Sequence, residues 1–552
     1  ITLEVIRHKL EGIADEMETT LLKSSFSPIV KEGMDASASL FTADGVTLAQ
    51  ACAIPIHLGT LIPCVAKVLE TFPRESMRPG DVYMMNDPYL GGTHLPDFAI
   101  IMPIIAEGKL LAFSATMTHH QDVGGLAAGS VPTNATEIFQ EGLRIPPVRW
   151  CRDGVFDPTL TAILRLNVRI PDTFLGDLHA QVAACKVGAR RIGKLVERYS
   201  VGFLEAVFAA LLERSEAMTR AALVGIPDGT FHYIDYLDND GITLDQKIRI
   251  EVTATIEGDT IHFDLTGTSD QVGGPLNCVP SGSLAAACYA VRAVTDSSIP
   301  GNGGCFRPIT LTLPEGSLVN PREPAPVNAR TATIKRITGC MLGALAQAVP
   351  ERVPASPAGE LLVMAFGGYR ESGDEAYVTS ELIAGGSGAG IDYDGVDGIE
   401  TDATNCMNVP VEAMEMEAPI RVHRLALRPD SGGPGRHRGG LGVIKEFEFL
   451  EGPVSFSHRG ERHFTAAAGL AGGGAGAMAR SWIQRADGSR EEIPSKLATR
   501  LAKGDRLIVE TAGGGGFGPP AERDPAALAE DRADGKVGPE AARLSYGWKG
   551  PG

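Results

Sequence analysis

Apolar positions along residues 2–23 fall at Leu3, Ile6, Leu10, Ile13, Met17 and Leu21. Steps of three and four draw a single stripe on a helix of about six turns. "DASASLFTADGVTLAQ" then alternates around "ADG", which predicts a hairpin, and "GTLIPCVAKVLETF" resumes helical spacing until Pro73. From residue 81 the period changes to that of strands: "DVYMM" precedes two β-rich runs, "FAIIMPIIA" and "KLLAFSATM", joined at Glu107-Gly108. Residues 160–222 read as helices, and "DQKIRIEVTATIEGDTIHFDLTGTS" alternates at period two with a turn at Glu257-Gly258-Asp259. A helix is predicted over 282–296, followed by loops rich in Pro, Gly and Asn. Beyond about 365, Gly-laden loops and short strands such as "GVIKEFEFL" dominate. No internal repeat is visible. The class predicted is α+β, with mixed helices and largely antiparallel sheets, in several domains whose boundaries interleave.

The hairpin around Glu107-Gly108 brings two distant motifs together. If Ala106 pairs with Lys109, Asp97 falls opposite Thr118, and His119 is one position away, within side-chain reach. "NDPYLGGTHLPD" (86–97) carries His94 and Asp97, and "THHQDVGG" (118–125) carries His119, His120 and Asp122. Both therefore converge on the open end of one hairpin.

Composition narrows the function. The 552 residues carry a net charge of −18, which argues against nucleic acid, whose phosphates need Lys and Arg. No apolar run is long enough to span a bilayer. The acidic, amphipathic start does not resemble a signal peptide. The chain opens on Ile1 rather than Met, so a few residues are expected to precede it. Nine cysteines, an odd number without C-x-x-C, make neither a disulfide framework nor a zinc ribbon; a reducing cytoplasm is the expectation.

Neutral imidazole nitrogens and a carboxylate suit a divalent ion such as Zn, Mn or Fe(II), and three ligands leave positions open for water or substrate. His94, Asp97 and His119 are the candidate ligands, with Asp35, Asp87, His120 and Asp122 as further ligands or orienting groups. Hydrogen-bonded polar loops are the competing reading. His57, in "IPIHLGT", reads first as a structural histidine. Glu137 and Glu141, four apart, would share a helical face, as acid–base groups or as a solvated surface. "GGSGAG", "GGPGRHRGGLG" and "TAGGGGFG" match no phosphate-binding pattern and read as tight turns, so no ATP site is visible. The arginines of "GPGRHRGG" and "SHRGER" could hold an anion or only pair with the acidic surface.

Taken together, "KEGMDASASLFTADG", "IPIHLGT", "NDPYLGGTHLPD", "HHQDVGG", "TEIFQEGLRIPP", "DLTGTSDQ", "GGPGRHRGGLG" and "GGGGFGPP" resemble the hydantoinase B family, which includes the B half of 5-oxoprolinases. "LAAGS" at 126–130 departs from it where relatives tend to have Pro before Gly-Ser. The resemblance implies a B-type subunit of an ATP-dependent cyclic amidohydrolase that opens hydantoin, 5-oxoproline or lactam rings. A hydantoinase A-type ATPase partner, holding ATP with Mg, would phosphorylate the substrate carbonyl, and a metal-bound water on this chain would attack it. One or two divalent ions (Mn, Zn or Fe) would sit on His94, Asp97, His119 and Asp35. Catalytic roles would fall to Asp35, His57, His120, Asp122 and Glu141, with Asp35 or Asp122 orienting water and His57 or His120 donating to the departing group. The first motif looks more like hydantoinase than carboxylase relatives. The alternatives are a subunit of an ATP-dependent ketone carboxylase and a scaffold subunit whose metal only braces the fold. Expected divisions are a metal-site domain at 1–225, a hairpin-and-helix domain at 226–365, a Gly-rich β domain at 366–522 and a charged tail at 523–552.

Overall fold

The computed structural model describes residues 1–549 except Ala53 and Asp374; the end of the predicted tail lies outside the described residues. Among the described residues the fold is α+β: eleven α-helices and four mostly antiparallel sheets. No described helix is long and apolar enough to cross a membrane.

The first sheet contains β1 (Ala36–Thr42), β2 (Thr47–Gln50), β3 (Val82–Met85), β4 (Asp97–Ala106), β5 (Lys109–His119), β6 (Val148–Arg152) and β7 (Val155–Phe156), in the order β2-β1-β5-β4-β3-β6-β7. Its central strands β4 and β5 are buried on both faces, which explains their near-continuous apolar sequence. Helices Thr2–Ser24 and Pro171–Tyr199 cover one face, and helix His57–Thr71 packs against the other. The predicted stripe is the buried one: Ile6, Leu10, Ile13, Met17 and Leu21 all face the core. Gly188 lets the long helix close on the sheet, since a Cβ there would lie 2.9 Å from that of Ser114.

Register along the central hairpin differs from the simple reading by one residue. Ala106 does pair with Lys109, and Ile105 with Leu110, but a bulge between Ile104 and Ile105 then shifts the ladder. Asp97 therefore lies directly across from His119, not Thr118. One extra residue in β5 converts a diagonal neighbour into a cross-strand pair.

A second sheet (309–312, 260–264, 248–257, 229–237) carries helices Pro280–Val294 and Arg330–Leu345. Its strand 248–257 alternates buried and half-buried positions, as the period-two pattern predicts. Helix Arg330–Leu345 replaces the loops expected there. It is buried nearly all round, including Arg330, Lys335 and Arg336, so it shows no polar face to betray its period.

Two further sheets, 361–384 with 454–459 and 496–501, and 420–449 with 480–492 and 506–510, close around a knot of glycine-rich extended segments. Here the reading of the glycines as tight turns is corrected. Gly513, Gly514, Gly515 and Gly516 have no positive φ; instead they thread between neighbouring backbones. Gly514 N–H donates to Gly440 O (3.0 Å) and its carbonyl accepts from Gly433 N–H (2.8 Å), while Gly515 N–H reaches Ser356 O (2.8 Å). A Cβ on Gly514 would collide with the Ser387 carbonyl, and one on Gly515 with that of Ala468. Gly514→Ala is expected to destabilise the protein by about 3 kcal/mol or more, because rigid backbone rather than a side chain must move. Denaturant unfolding checks this, and an unchanged midpoint would contradict it.

Candidate metal centre at the open end of the hairpin

"NDPYLGGTHLPD" is held rigidly before it reaches His94. Asp87 caps a short 3₁₀ turn at Tyr89 N–H (2.9 Å) and accepts from Arg144 Nε (2.8 Å), so it serves the loop rather than the centre. Asn86 donates to the carbonyls of Leu95 (2.7 Å) and Leu143 (2.8 Å). Gly91 sits at φ 117°, turning the chain in a conformation side chains rarely adopt. On the facing strand, His119 N–H donates to Asp35 O (3.1 Å), tying the end of β5 to the start of β1.

His94, Asp97 and His119 meet there. His94 Nε2 is 2.8 Å from Asp97 Oδ1, His119 Nδ1 is 3.3 Å from the same oxygen, and the two imidazole nitrogens are 3.2 Å apart. All three ligand atoms lie within 4.8 Å of one another. The second carboxylate oxygen, Oδ2, accepts from Arg330 Nη2 at 2.7 Å, and His57 Nε2 lies 3.7 Å from it. Burial alone would raise the Asp97 carboxyl, but the Arg330 guanidinium, with the hydrogen bonds from His119 and His57, holds it well below the usual carboxylate range.

The donor set fits a cation. His94 Nδ1 lies 3.0 Å from the carbonyl of Asn328, which can only accept, so the ring proton belongs on Nδ1. Burial, reinforced by the Arg330 charge, drives this imidazole down to about 3, so the ring is neutral. Its Nε2 lone pair then points at a carboxylate oxygen. Two lone pairs at hydrogen-bond distance repel unless a positive charge lies between them, and edges near 3 Å suit ligands around a small divalent ion.

The remaining predicted residues divide. Asp35 and His57 line the same cavity, of about 30 Å³, which has room for about two water molecules. Burial raises the Asp35 carboxyl, with His119 acting against the rise. His57 Nδ1 is held by Ser37 Oγ (3.0 Å). Expected roles for His120 and Asp122 in the centre are corrected. Adjacent residues of an extended chain face opposite sides, and His120 lies between Phe98 and Phe174 with Nε2 3.1 Å from Gln181. Asp122 is consumed by Arg169, whose Nη1 is at 2.9 Å, and by the N–H groups of Gly124 and Gly129. Glu137 and Glu141 do not share a helical face either, because only a 3₁₀ turn (Ile138–Gln140) separates them. Glu137 is exposed, whereas Glu141 is buried and accepts from the N–H groups of Val327 (3.1 Å) and Asn328 (2.8 Å). Among its hydrogen bonds, the link toward His94 runs through Asn328.

Sequence reasoning missed Asn328 and Arg330 entirely. Asn328 is a hub: its carbonyl accepts from His94 and from Arg459 Nη1 (3.1 Å), its Oδ1 also accepts from Arg459 (3.0 Å), and its N–H serves Glu141. No short motif marks "VNAR", and the partners of Asn328, His94 and Arg459 among them, lie 131 residues or more away along the chain. A larger cavity of about 400 Å³, lined by Tyr233, Tyr289, Arg336 and Arg462, lies behind the segment 401–406. Thr401 and Asp402 line it, whereas Thr404 and Cys406 line the small cavity.

Comparison with known proteins agrees with this architecture. The hydantoinase B/oxoprolinase family model matches residues 1–520, and the chain belongs to that family. An uncharacterised protein of Methanocaldococcus jannaschii is 35% identical over 99% of this chain and 95% of its own. Caprolactamase subunit beta of Pseudomonas jessenii is 32% identical over 99% of this chain and 95% of its own. The crystal structure of that organism's ATP-dependent caprolactamase superposes with a TM-score of 0.90 at 30% identity, covering 100% of this chain and 96% of that one. Acetone carboxylase shares the fold, with a TM-score of 0.92 at 20% identity over 99% of this chain and 79% of its own.

Burial pushes the Glu141 carboxyl up to about 8, against its two backbone donors. Between its ordinary value of 4.5 and about 8 the folded chain therefore keeps a proton that the unfolded chain releases. That makes stability fall as pH rises through this window, by at most about 1.4 kcal/mol per pH unit. Glu141→Gln should flatten this part of the profile, measured as urea midpoints at pH 5.5, 7 and 8.5. An unchanged slope would show that Glu141 is ionised throughout.

Proposed function

We propose that this chain is the B-type subunit of an ATP-dependent cyclic amidohydrolase, acting on a ring carbonyl phosphorylated by a hydantoinase A-type partner subunit. The observation that carries the reading is the His94–Asp97–His119 triangle, with a neutral imidazole lone pair aimed at a carboxylate. Family membership and the likeness to a caprolactamase support ring opening of a cyclic amide as the reaction class.

An amide carbonyl is a poor electrophile, and O-phosphorylation makes its carbon open to attack by water. The adduct breaks its C–N bond with a proton to the ring nitrogen, and the acyl phosphate so formed loses phosphate to a second water. A divalent ion held by His94, Asp97 and His119 would supply Lewis-acid activation of water at neutral pH. The chain's own groups do the rest. Arg330 holds Asp97 Oδ2, which leaves Oδ1 to the triangle. The Asn328 carbonyl fixes the tautomer of His94. Asp35, raised by burial on the cavity wall, completes the donor set or takes the proton released by attacking water. His57, held by Ser37 beside Asp97, would protonate the departing ring nitrogen.

His94→Ala and Asp97→Ala, each copurified with its partner, are expected to lose bound metal and ATP-dependent ring opening while remaining folded. Metal analysis, circular dichroism and turnover of hydantoin, 5-oxoproline and caprolactam check this. Equal turnover in either variant would sink the reading, and lost stability with full activity per folded molecule would establish a structural metal. Bicarbonate incorporation into acetone or acetophenone would instead assign the carboxylase branch. Asp35→Ala separates its two roles: metal is lost if Asp35 is a ligand, and metal is kept without turnover if it is the proton acceptor.

A further inference from the structure

Four arginines stand in the two basic motifs of the C-terminal part, and the structure gives three of them carboxylate partners. Arg436 reaches Glu522 (3.7 Å), Arg438 reaches Asp397 (3.0 Å) and Arg462 reaches Asp235 (3.2 Å). Arg459 has no carboxylate partner among the described residues. It is 5% exposed, and its hydrogen bonds run from Nη1 to the carbonyl and side-chain oxygens of Asn328. Arg459 lines the same small cavity as His94, His119, Asp35 and Arg330.

A buried cation without a counter-ion is costly, and neutral amide oxygens compensate it only in part. Arg330 cannot share its own counter-ion, because Asp97 Oδ2, Thr93 and Thr331 already occupy that guanidinium. Glu141 lies on the far side of Asn328, engaged by two backbone N–H groups. Arg459 therefore presents a positive charge, with no carboxylate in contact among the described residues, to a cavity with space for little more than two waters. Nε and Nη2 form, with Nη1, the planar fork that suits bidentate oxygen ligands.

We propose that Arg459 is the anchor of an oxyanion subsite beside the triangle, recognising the phosphoryl or carboxylate oxygens of the reacting molecule. This rests on the cavity being the reaction centre. It concerns binding rather than turnover, so the two readings fail separately. The bland alternative makes Arg459 only a brace for Asn328, and hence for His94.

Calorimetric titration of the purified, metal-loaded protein with inorganic phosphate, and separately with acetate, decides between them. Wild type is expected to bind one of the two anions, and which one identifies phosphoryl or carboxylate recognition. Arg459→Ala should weaken that binding at least about tenfold, the scale of a charge-assisted hydrogen bond, with metal content unchanged. Arg459→Gln can still donate to Asn328 but carries no charge, so it should show the same loss; it also serves if the alanine variant does not fold. Arg436→Ala, a basic-motif arginine outside the cavity, should bind as wild type does. The proposal is overturned if wild type binds neither anion, or if Arg459→Gln binds as tightly as wild type. A fall in metal content with anion affinity per loaded site intact would likewise overturn it and leave the brace.

Discussion

Asp97 has two carboxylate oxygens with different neighbours, and the centre depends on keeping them apart. Oδ2 is held by Arg330 from a helix that starts 233 residues later, and Oδ1 faces the two imidazoles. Were Arg330 absent, both oxygens would be free to rotate among His57, His94 and His119. The same guanidinium keeps the carboxylate ionised in a fully buried position, where burial alone would favour the neutral acid. A buried ion pair of this kind contributes little net stability. Its consequence is orientation.

Around that pair the fold works as successive supports. The β4–β5 bulge sets His119 across from Asp97. The Asn328 carbonyl sets the tautomer of His94, and Glu141 holds the Asn328 backbone from behind. Arg459 closes the circle from strand 454–459, which belongs to a different sheet. That sheet abuts the glycine knot, where backbones pass too closely for any side chain.

Much was legible along the chain because it was local. The stripe on the first helix, the central hairpin, the alternation at 248–257 and the helices between 160 and 222 follow from periodicity, which burial on one or two faces imposes directly. Joining "NDPYLGGTHLPD" to "THHQDVGG" also needed only the turn at Glu107-Gly108. The offset by one residue was not legible, because the extra residue, Leu111, sits within the apolar start of "KLLAFSATM" and leaves no mark there. Helix Arg330–Leu345 was hidden for a related reason: when all faces are buried and the cations point inward, hydropathy carries no period.

The sequence by itself determined the chemistry available: two imidazoles and a carboxylate in two glycine-bounded motifs on one hairpin, with the family resemblance that goes with them. Tertiary structure decided which groups meet. It turned His120 to an aromatic pocket and Asp122 to Arg169, and it recruited Asn328, Arg330 and Arg459 from far along the chain. The physical reason is range. A side chain's type and its strand or helix period are local properties. A buried donor's partner is set by which backbones pack together, and here that packing joins segments 130 to 230 residues apart.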